Sequence, residues 1–562
     1  MAITPQAPAL PIVAPVADRR SLPSRWRLRW RGDRWGAGAA LLTGIIALPL
    51  LAILFYLGQE SVEWNHLAET VLVRYLTNTL ILVVGVSLLV LVMGVVPAWL
   101  VTTCEFRGRR LLSWALILPL AIPTYIAAFV FYQGPEAAIP MMIKIRLRFG
   151  VEAFLLAEQV IRYGLLIVML AAVLYPYVYL ACCSAFSRQS RAVIEAARCL
   201  GDSPGRAFFR AALPMARPGI VAGVALVIME VINDYGAVHF FGVPTLTEGI
   251  FRTWFGMGDK VAALRLAGIM MLVVAALLAV EQWLRGRARY VEADAGSIPM
   301  KRLPLRGGKA ILALLACFAP VALGFLFPVG RLLHWAGLHL LSDAGSGFPA
   351  GMALVRGLGL ALATAFVVTA LAALFMYAVR LRESRLRRAL GRIAGMGYAT
   401  PGAVIAVGVL VVFGTLDRFE LPLLPLVSGT LFVIAFAYMV RFFAIPLQFT
   451  RAGLERIGKP LEEASRLLGH PPLQTFLRVD LPLLRAPLIA AGMLLFVDIL
   501  KELPLTLILR PANFETLATT AYSLASEARL QACAVPALLI IAVGAVGLLF
   551  MNRWLQPPLK NE

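Results

Sequence analysis

The chain has 562 residues, of which 60% are hydrophobic and 15% are charged, and its formal net charge is +21. Soluble domains are about half apolar and about a quarter charged, so this composition indicates a membrane protein and excludes a single soluble core. A strongly basic soluble protein would suggest a nucleic-acid partner. Here the basic residues cluster in short links between apolar runs, which indicates membrane topology and no nucleic-acid binding.

The amino terminus is basic between Arg25 and Arg34, and an apolar run follows from about Gly36 to Leu57. This run is too long for a typical signal-peptide core, and no clear small-residue cleavage site follows it. We interpret it as a retained first helix. The six cysteines form no C-x-x-C motif or spaced Cys/His cluster, so neither a disulfide framework nor a structural zinc site is predicted.

The apolar runs predict an all-α polytopic membrane protein, because roughly 20 helical residues cross a bilayer. Twelve helices are predicted, at 36–58, 77–103, 111–132, 164–186, 217–235, 262–284, 310–330, 354–379, 391–415, 424–447, 485–503 and 533–553. The arginine-rich links 105–110, 285–290 and 380–388 then all lie in the cytoplasm, as the positive-inside rule requires. The link 133–163 disagrees, since it is predicted to be an outer loop but contains four basic residues.

A polar, basic connection at the midpoint divides the chain into two six-helix halves. The predicted segments are a cytoplasmic amino-terminal tail 1–35, a first half 36–290, a cytoplasmic linker 291–309, a second half 310–555 and a cytoplasmic carboxy-terminal tail 556–562. Six spans return the chain to its starting side. The halves are therefore predicted to be parallel repeats, related about the membrane normal.

One polar segment occurs twice, as EAARCLGDSPGRAFFRAALP at 195–214 and as EASRLLGHPPLQTFLRVDLP at 463–482. The copies are 268 residues apart and agree at 10 of 20 positions. They lie in the cytoplasmic loops 188–216 and 451–484, each between the fourth and fifth helix of its half. Gly201 and Gly469 can take the positive φ that ends a helix. Each copy is thus a short helix that either docks on a soluble partner or only anchors its loop to the interface, and the shared spacing favours docking.

The pattern E-A-A-x-x-x-G with a later L-P resembles the cytoplasmic loop of binding-protein-dependent ABC importer permeases; Ser465 is a mild departure in the second copy. This resemblance implies a type I importer permease fold, in which such coupling helices contact two copies of an ATPase subunit. The residues it assigns to this contact are Glu195, Ala196, Ala197, Gly201, Phe208, Leu213, Pro214, Glu463, Ala464, Ser465, Gly469, Phe476, Leu481 and Pro482.

The sequence contains no G-x-x-x-x-G-K-[ST] phosphate loop and no nucleophile–base constellation, so the chain is predicted not to be an enzyme and to bind no cofactor itself. ATP and Mg²⁺ are expected on the partner ATPase. Residues 233–259 and 501–530 resemble the ferric-iron branch of these permeases, which implies ferric iron as cargo and a periplasmic substrate-binding protein as a partner. Thiamine, phosphonate and polyamine permeases are relatives, so those substrates stay open.

Four carboxylates recur at the same offset, because Glu230 and Asp234 in the fifth helix match Asp498 and Glu502 in the eleventh. The i, i+4 spacing predicts that each pair shares one helical face. Carboxylates inside a membrane usually line an aqueous path or a bundle interior, and four together would suit a hard cation. A structural role is the alternative: Asp234 would cap a helix end, and Lys501 would neutralise Asp498 or Glu502. No metal site is firmly assigned.

Together these features predict a multi-pass permease of a bacterial inner membrane that works by alternating access, with both termini in the cytoplasm. A twelve-helix secondary transporter also has two parallel halves, and a non-transporting membrane scaffold is a third interpretation. The position of the duplicated segment argues against the former, and the paired carboxylates argue against the latter.

Overall fold

The structure is a computed structural model that describes residues 34–133, 139–187, 199–201, 203–285, 302–342, 350–382, 384–418 and 429–555. In the first half, the helices are Arg34–Tyr56, Trp64–Thr70, Leu72–Thr103, Arg109–Ala115, Leu118–Ala121, Thr124–Tyr132, Ile139–Ser187, Pro204–Ala207, Phe208–Ala212, Leu213–Asn233, Gly236–Phe240, Leu246–Phe251, Arg252–Met257 and Lys260–Arg285. In the second half they are Gly308–Val321, Ala322–Leu326, Phe327–Leu341, Ala350–Leu381, Arg385–Ala394, Met396–Ala399, Gly402–Arg418, Leu431–Phe442, Ala444–Ile457, Pro460–Leu467, Pro472–Thr475, Phe476–Asp480, Leu481–Leu500, Pro504–Leu509, Leu517–Ser526 and Leu530–Leu555.

Nine helices in the described ranges are long and apolar enough to cross a membrane, and the number rises to twelve if each of three bent helix pairs is one span. The prediction of an all-α protein with about twelve spans is therefore confirmed. We number the spans one to twelve in chain order, and each bent pair counts as a single span.

Spans three and nine are broken, although the sequence predicted continuous helices at 111–132 and 391–415. Their two parts meet at angles of 91° and 112°. Each break precedes a proline, Pro123 or Pro401, and the residues before them, Ile122 and Thr400, have extended backbones with ψ of 116° and 130°. A proline ring disfavours the helical conformation in the preceding residue, which explains both breaks. Span ten bends by 50° between Phe442 and Ala444.

Two predicted boundaries are wrong. Residues 139–163, predicted as part of an outer loop, belong to the helix Ile139–Ser187, which is interrupted only by the non-helical backbone of Gly150. Its 49 residues exceed the length of a single span, so its first part extends beyond one membrane crossing. The four basic residues that disagreed with an outer loop lie in this helix. Span seven, predicted to end at 330, continues through a π-helical turn to Leu341.

The first span of each half packs against the other half. Span one lies on the helices Ala350–Leu381, Arg385–Ala394 and Gly402–Arg418, and span seven lies on Leu72–Thr103 and Ile139–Ser187. Two glycines allow the close approach: a Cβ atom on Gly408 would lie 2.6 Å from the carbonyl oxygen of Pro49, and one on Gly324 would lie 2.0 Å from that of Ala172. The two sequence repeats are therefore interlocked.

The end of the predicted linker is attached to the first half. Cys104–Glu105 and Leu303–Pro304 form a short parallel strand pair. The amide of Leu305 donates to the carbonyl oxygen of Glu105 at 2.9 Å, and Arg302 lies 3.7 Å from the Glu105 carboxylate. This contact holds the start of span seven beside the link between spans two and three.

Candidate coupling segments and transport cavity

The second copy of the repeated segment is described throughout, whereas Glu195, Ala196 and Ala197 of the first copy lie outside the described residues. A helix, Pro460–Leu467, opens the second copy. Gly469 has a φ of +83° and Gly201 a φ of +92°, so the predicted left-handed turn is present in both copies. Each turn redirects the chain into a second short helix before the next span begins.

We call the two copies, 195–214 and 463–482, the coupling segments. Their described residues include exposed leucine side chains beside this turn. Leu200 in the first copy is 88% exposed, and its counterpart Leu468 in the second is 78% exposed. Leu467 is also exposed, as are Glu463 and Ala464 on the same helix. Apolar side chains exposed at the same place in both halves form a surface suited to burial by a partner. The exposed leucines were not singled out from the sequence.

Some residues assigned to partner contact face inward instead. Phe208 packs on Trp99 of span two and Phe476 packs on Tyr377 of span eight, each with ring centroids 4.9 Å apart. Ser465 is buried, and its hydroxyl lies 3.1 Å from that of Thr475. These side chains hold the coupling segments against the spans. Leu213 and Leu481 are half-buried, while Pro214 and Pro482 are exposed at the starts of spans five and eleven.

A buried ionic cluster anchors the second coupling segment. The guanidinium of Arg380 in span eight donates to the carbonyl oxygens of Leu454 and Gly458, and its Nε lies 2.6 Å from the Glu462 carboxylate. Burial raises the pKa of Glu462, although Arg380 opposes this shift. Asp480 is buried nearby. The sequence counterparts of Glu462 and Asp480 in the first copy are the uncharged Ile194 and Ala212. This difference in charge between the copies was visible in the sequence but was not used to predict the cluster.

Spans five and eleven connect the coupling segments directly to a central cavity. Both spans are continuous with π-helical turns, at Phe208–Ala212 and Phe476–Asp480. The helix Leu213–Asn233 has 21 residues, which corresponds to roughly 30 Å. A coupling segment and the cavity therefore lie at opposite ends of one helix in each half.

The cavity has a volume of about 110 Å³ and is lined by matched residues from both halves. All four predicted carboxylates, Glu230, Asp234, Asp498 and Glu502, line it. Further matched pairs include Pro123 and Pro401 at the two span breaks, Val173 and Arg441 in spans four and ten, and Asn233 and Lys501 at the ends of spans five and eleven. The structure thus brings together the carboxylates that the sequence paired.

The predicted geometry of each carboxylate pair is wrong in detail. The helix of span five ends at Asn233, and Asp234 follows it with an extended backbone, φ −67° and ψ 121°. The helix of span eleven ends at Leu500, before Glu502. The two members of a pair therefore do not share one helical face. The chain leaves the helix between the two members of each pair, and a spacing of four residues carries no information about that turn.

Asp234 and Glu502 act instead as matched caps of the following short helices. Asp234 Oδ1 accepts the amides of Ala237 at 2.8 Å and Val238 at 3.3 Å. Glu502 Oε1 accepts the amide of Leu505 at 3.0 Å. Asp234 therefore has the helix-capping role that the sequence offered as an alternative, and it also lines the cavity.

Two cations neutralise part of the cavity. Lys501 Nζ lies 2.8 Å from Asp498 Oδ1, and Arg441 Nη1 lies 3.3 Å from Glu502 Oε1. Four carboxylates and two cations leave a formal charge of −2. Among the described residues, no group of three or more His, Cys, Asp or Glu side chains could hold a metal ion. Arg441 was missed from the sequence, although an arginine inside a predicted span at 424–447 is itself a signal of function.

Two parallel repeats of transmembrane helices, with a duplicated segment at one end and a charged cavity at the other, define a polytopic solute permease. The chain belongs to the family of binding-protein-dependent transport system inner membrane components, whose sequence model matches residues 91–290 and 365–561. The two matches correspond to the two halves.

Individual relatives differ in the substrates that their names give. The Fe(3+)-transport system permease protein FbpB 2 of Haemophilus influenzae is 24% identical over 530 residues, which cover 92% of this chain and 97% of that protein. A probable sulfate transport system permease protein cysT of Chlorokybus atmophyticus is 28% identical over 36% of this chain and 70% of its own length. A probable molybdenum ABC transporter permease protein of Haloferax volcanii is 27% identical over 42% of this chain and 87% of its own length.

Proposed function

We propose that this permease imports ferric iron through the inner membrane, driven by a separate ATPase. The observation that carries this proposal is the similarity to the Haemophilus influenzae ferric-iron permease, which covers both halves and nearly the whole of both chains. The formal charge of −2 in the cavity supports a cationic cargo, because a low-dielectric cavity with excess carboxylates attracts cations and repels anions.

In the proposed cycle, a periplasmic substrate-binding protein delivers iron to the outer side of the cavity. Two copies of the ATPase subunit hold the two coupling segments and draw together when they bind ATP. Spans five and eleven transmit this movement, since each is continuous with a coupling segment at one end and carries cavity residues at the other. The interlocked halves then rock against each other, and the cavity opens alternately to the two sides.

The coupling role is supported by the exposed leucines at matched positions in the two copies. A loop that served only as an interfacial anchor would bury these side chains in lipid, whereas a docking segment buries them in a protein cleft. The two cases differ in a pull-down with the ATPase: replacing Leu468 by Asp weakens ATPase binding if the segment docks, and leaves it unchanged if the segment is only an anchor.

An oxyanion cargo is the second candidate, because Arg441 and Lys501 line the cavity and relatives are named for sulfate and molybdenum. Both cations are paired with carboxylates, which leaves little positive potential for an anion. Thiamine, phosphonate and polyamine remain alternatives for the same general function.

The test is ATP-dependent uptake into proteoliposomes that contain the permease and its cognate ATPase, with the cognate binding protein outside. Radiolabelled ferric iron, sulfate, molybdate and thiamine are offered separately. The proposal expects uptake of iron that requires both ATP and the binding protein. Uptake of another solute without uptake of iron would overturn the assignment of cargo, while uptake without ATP would overturn the assignment of the transport class.

A further inference from the structure

Both basic side chains of the cavity come from the second half. Arg441 takes the place that Val173 has in the first half, and Lys501 takes the place of Asn233. The carboxylates, in contrast, are distributed evenly between the halves. The cavity is therefore symmetric in its negative charges and asymmetric in its positive ones.

Arg441 lies at the junction of the halves. Its Nη1 is 3.3 Å from Glu502 Oε1 of its own half and 3.3 Å from Asn233 Oδ1 of the other half. Asn233 Oδ1 also accepts the amide of Gly402 at 2.7 Å. The guanidinium thus has two acceptors within reach, a charged one and a neutral one, and it can shift from the first toward the second without losing all its hydrogen bonds.

The four carboxylates differ in the ion pairs and hydrogen bonds that they already make. Asp498 pairs with Lys501, and Asp234 caps a helix through two amides. Glu230 has no hydrogen bond to any residue that the structure describes. Glu502 is hydrogen-bonded by Arg441, a side chain that also reaches Asn233 of the other half. Glu230 is therefore the carboxylate that a cation could engage with least disruption, whereas a cation that engages Glu502 must displace Arg441 from it.

A carboxylate within a membrane is costly when nothing neutralises it, and a buried ion pair is strongly destabilised when one partner is removed. A cationic cargo and the Arg441 guanidinium therefore compete for the same carboxylate charge. They repel each other at short range, so the presence of one weakens the binding of the other.

We propose that Arg441 is a tethered counter-cation, which neutralises Glu502 between transport events and moves toward Asn233 when cationic cargo engages Glu230 and Glu502. Its return competes with the cargo for Glu502 and so promotes release. Arg441 is a positioning residue in this scheme, because it acts on the cargo through Glu502 and through the positive charge it adds to the cavity, without binding the cargo itself. The inference rests on the proposed function only in assuming that the cargo is a cation.

The experiment measures ATP-driven uptake of ferric iron as a function of the concentration of iron-loaded binding protein. The variants are Arg441→Gln, Arg441→Lys, Glu502→Gln and the double variant R441Q/E502Q. Arg529→Gln serves as the control, since it removes an equal charge from an exposed ion pair. Melting temperatures in detergent accompany the transport data.

We expect Arg441→Gln to lower KM on the order of tenfold, equal to about 1.4 kcal/mol, and to lower kcat because release becomes slow. Arg441→Lys and the control Arg529→Gln should have KM and kcat values close to those of the wild-type protein. Glu502→Gln should raise KM. The double variant leaves neither member of the Arg441–Glu502 pair without its partner and keeps the formal charge of the cavity at −2. We therefore expect it to fold and to return KM to near the wild-type value.

A KM for Arg441→Gln that is unchanged or raised would overturn the proposal. If that variant does not fold, the double variant decides: a KM no better than that of Glu502→Gln alone shows that Arg441 is only a structural brace. Failure of the proposed function is a separate outcome, since it appears as absence of ferric-iron uptake by the wild-type protein.

Discussion

The two carboxylates of the first half are expected to respond to neutralisation in opposite ways. Asp234 is 6% exposed, and its Oδ1 accepts two backbone amides at 2.8 and 3.3 Å. Glu230 lines the same cavity one helical turn earlier and has no such bonds to the described residues. Although they are only four positions apart, Asp234 is therefore a structural carboxylate and Glu230 is one that is available to the cargo.

For Asp234→Ala, the loss of a cap typically costs about 0.5–2 kcal/mol, and leaving a buried amide unsatisfied costs about 1–3 kcal/mol. These costs overlap, so we expect the free energy of unfolding to fall by about 1–3 kcal/mol. Asp234→Asn keeps the acceptor oxygen and loses only the charge assistance, so about 1 kcal/mol is expected. For Glu230→Gln we expect no loss of stability, but a fall in iron uptake on the order of tenfold, which is about 1.4 kcal/mol of lost interaction.

The assay combines uptake in proteoliposomes with thermal unfolding in detergent for all three variants. Glu527→Gln is the control, because it neutralises an exposed carboxylate outside the cavity. Normal uptake by Glu230→Gln would refute the cargo role of that residue. A severe loss of uptake by Asp234→Asn with unchanged melting would refute the division of roles, because it would show that the charge of Asp234 serves transport and not the helix cap.

Three further predictions concern other parts of the chain. Gly201→Pro and Gly469→Pro should abolish transport but not membrane insertion, because proline cannot adopt the positive φ of these turns. ATPase pull-downs measure docking and membrane fractionation measures insertion. Loss of insertion would count against a docking role. Arg380→Ala should cost about 3–5 kcal/mol and expose the second coupling segment to proteases, since it leaves Glu462 buried without its main partner; equal protease resistance in the variant would contradict this. Burial acts to raise the pKa of Asp259, but hydrogen bonds from neighbouring amides and a hydroxyl outweigh it and lower the pKa. The ionised Asp259 should therefore stabilise the protein above about pH 4, and this stabilisation should be lost as the pH falls through the lowered pKa. Asp259→Asn should remove this pH dependence from melting curves recorded at a series of pH values.

The sequence was sufficient for features that depend on local chemistry. Apolar length predicted the number and order of the spans, and the positive φ of Gly469 was predicted from a glycine that ends a short helix. The spacing of the duplicated segment led to the permease family, which the matches to both halves confirm. These features could be predicted because the hydrogen bonding and steric constraints of a few consecutive residues determine them.

Local patterns also misled the prediction where the backbone leaves the helix. Asp234 and Glu502 were placed on helical faces, but they follow the helix ends and cap the next helices. The breaks at Pro123 and Pro401 could have been predicted, because proline restricts the residue before it. At the end of span five the signal was weaker: Asp234 was considered as a helix cap, but a cap residue alone does not fix where the preceding helix ends.

What the sequence determined by itself is the set of spans, their repetition and the position of the duplicated segment between the fourth and fifth span of each half. Only the tertiary structure decided how the halves interlock and which charges meet in the cavity. Asn233 and Arg441 are 208 residues apart in the chain and lie 3.3 Å apart in the fold. Such a contact depends on where helices from both halves end relative to one another, and this follows from the packing of whole spans rather than from any run of neighbouring residues.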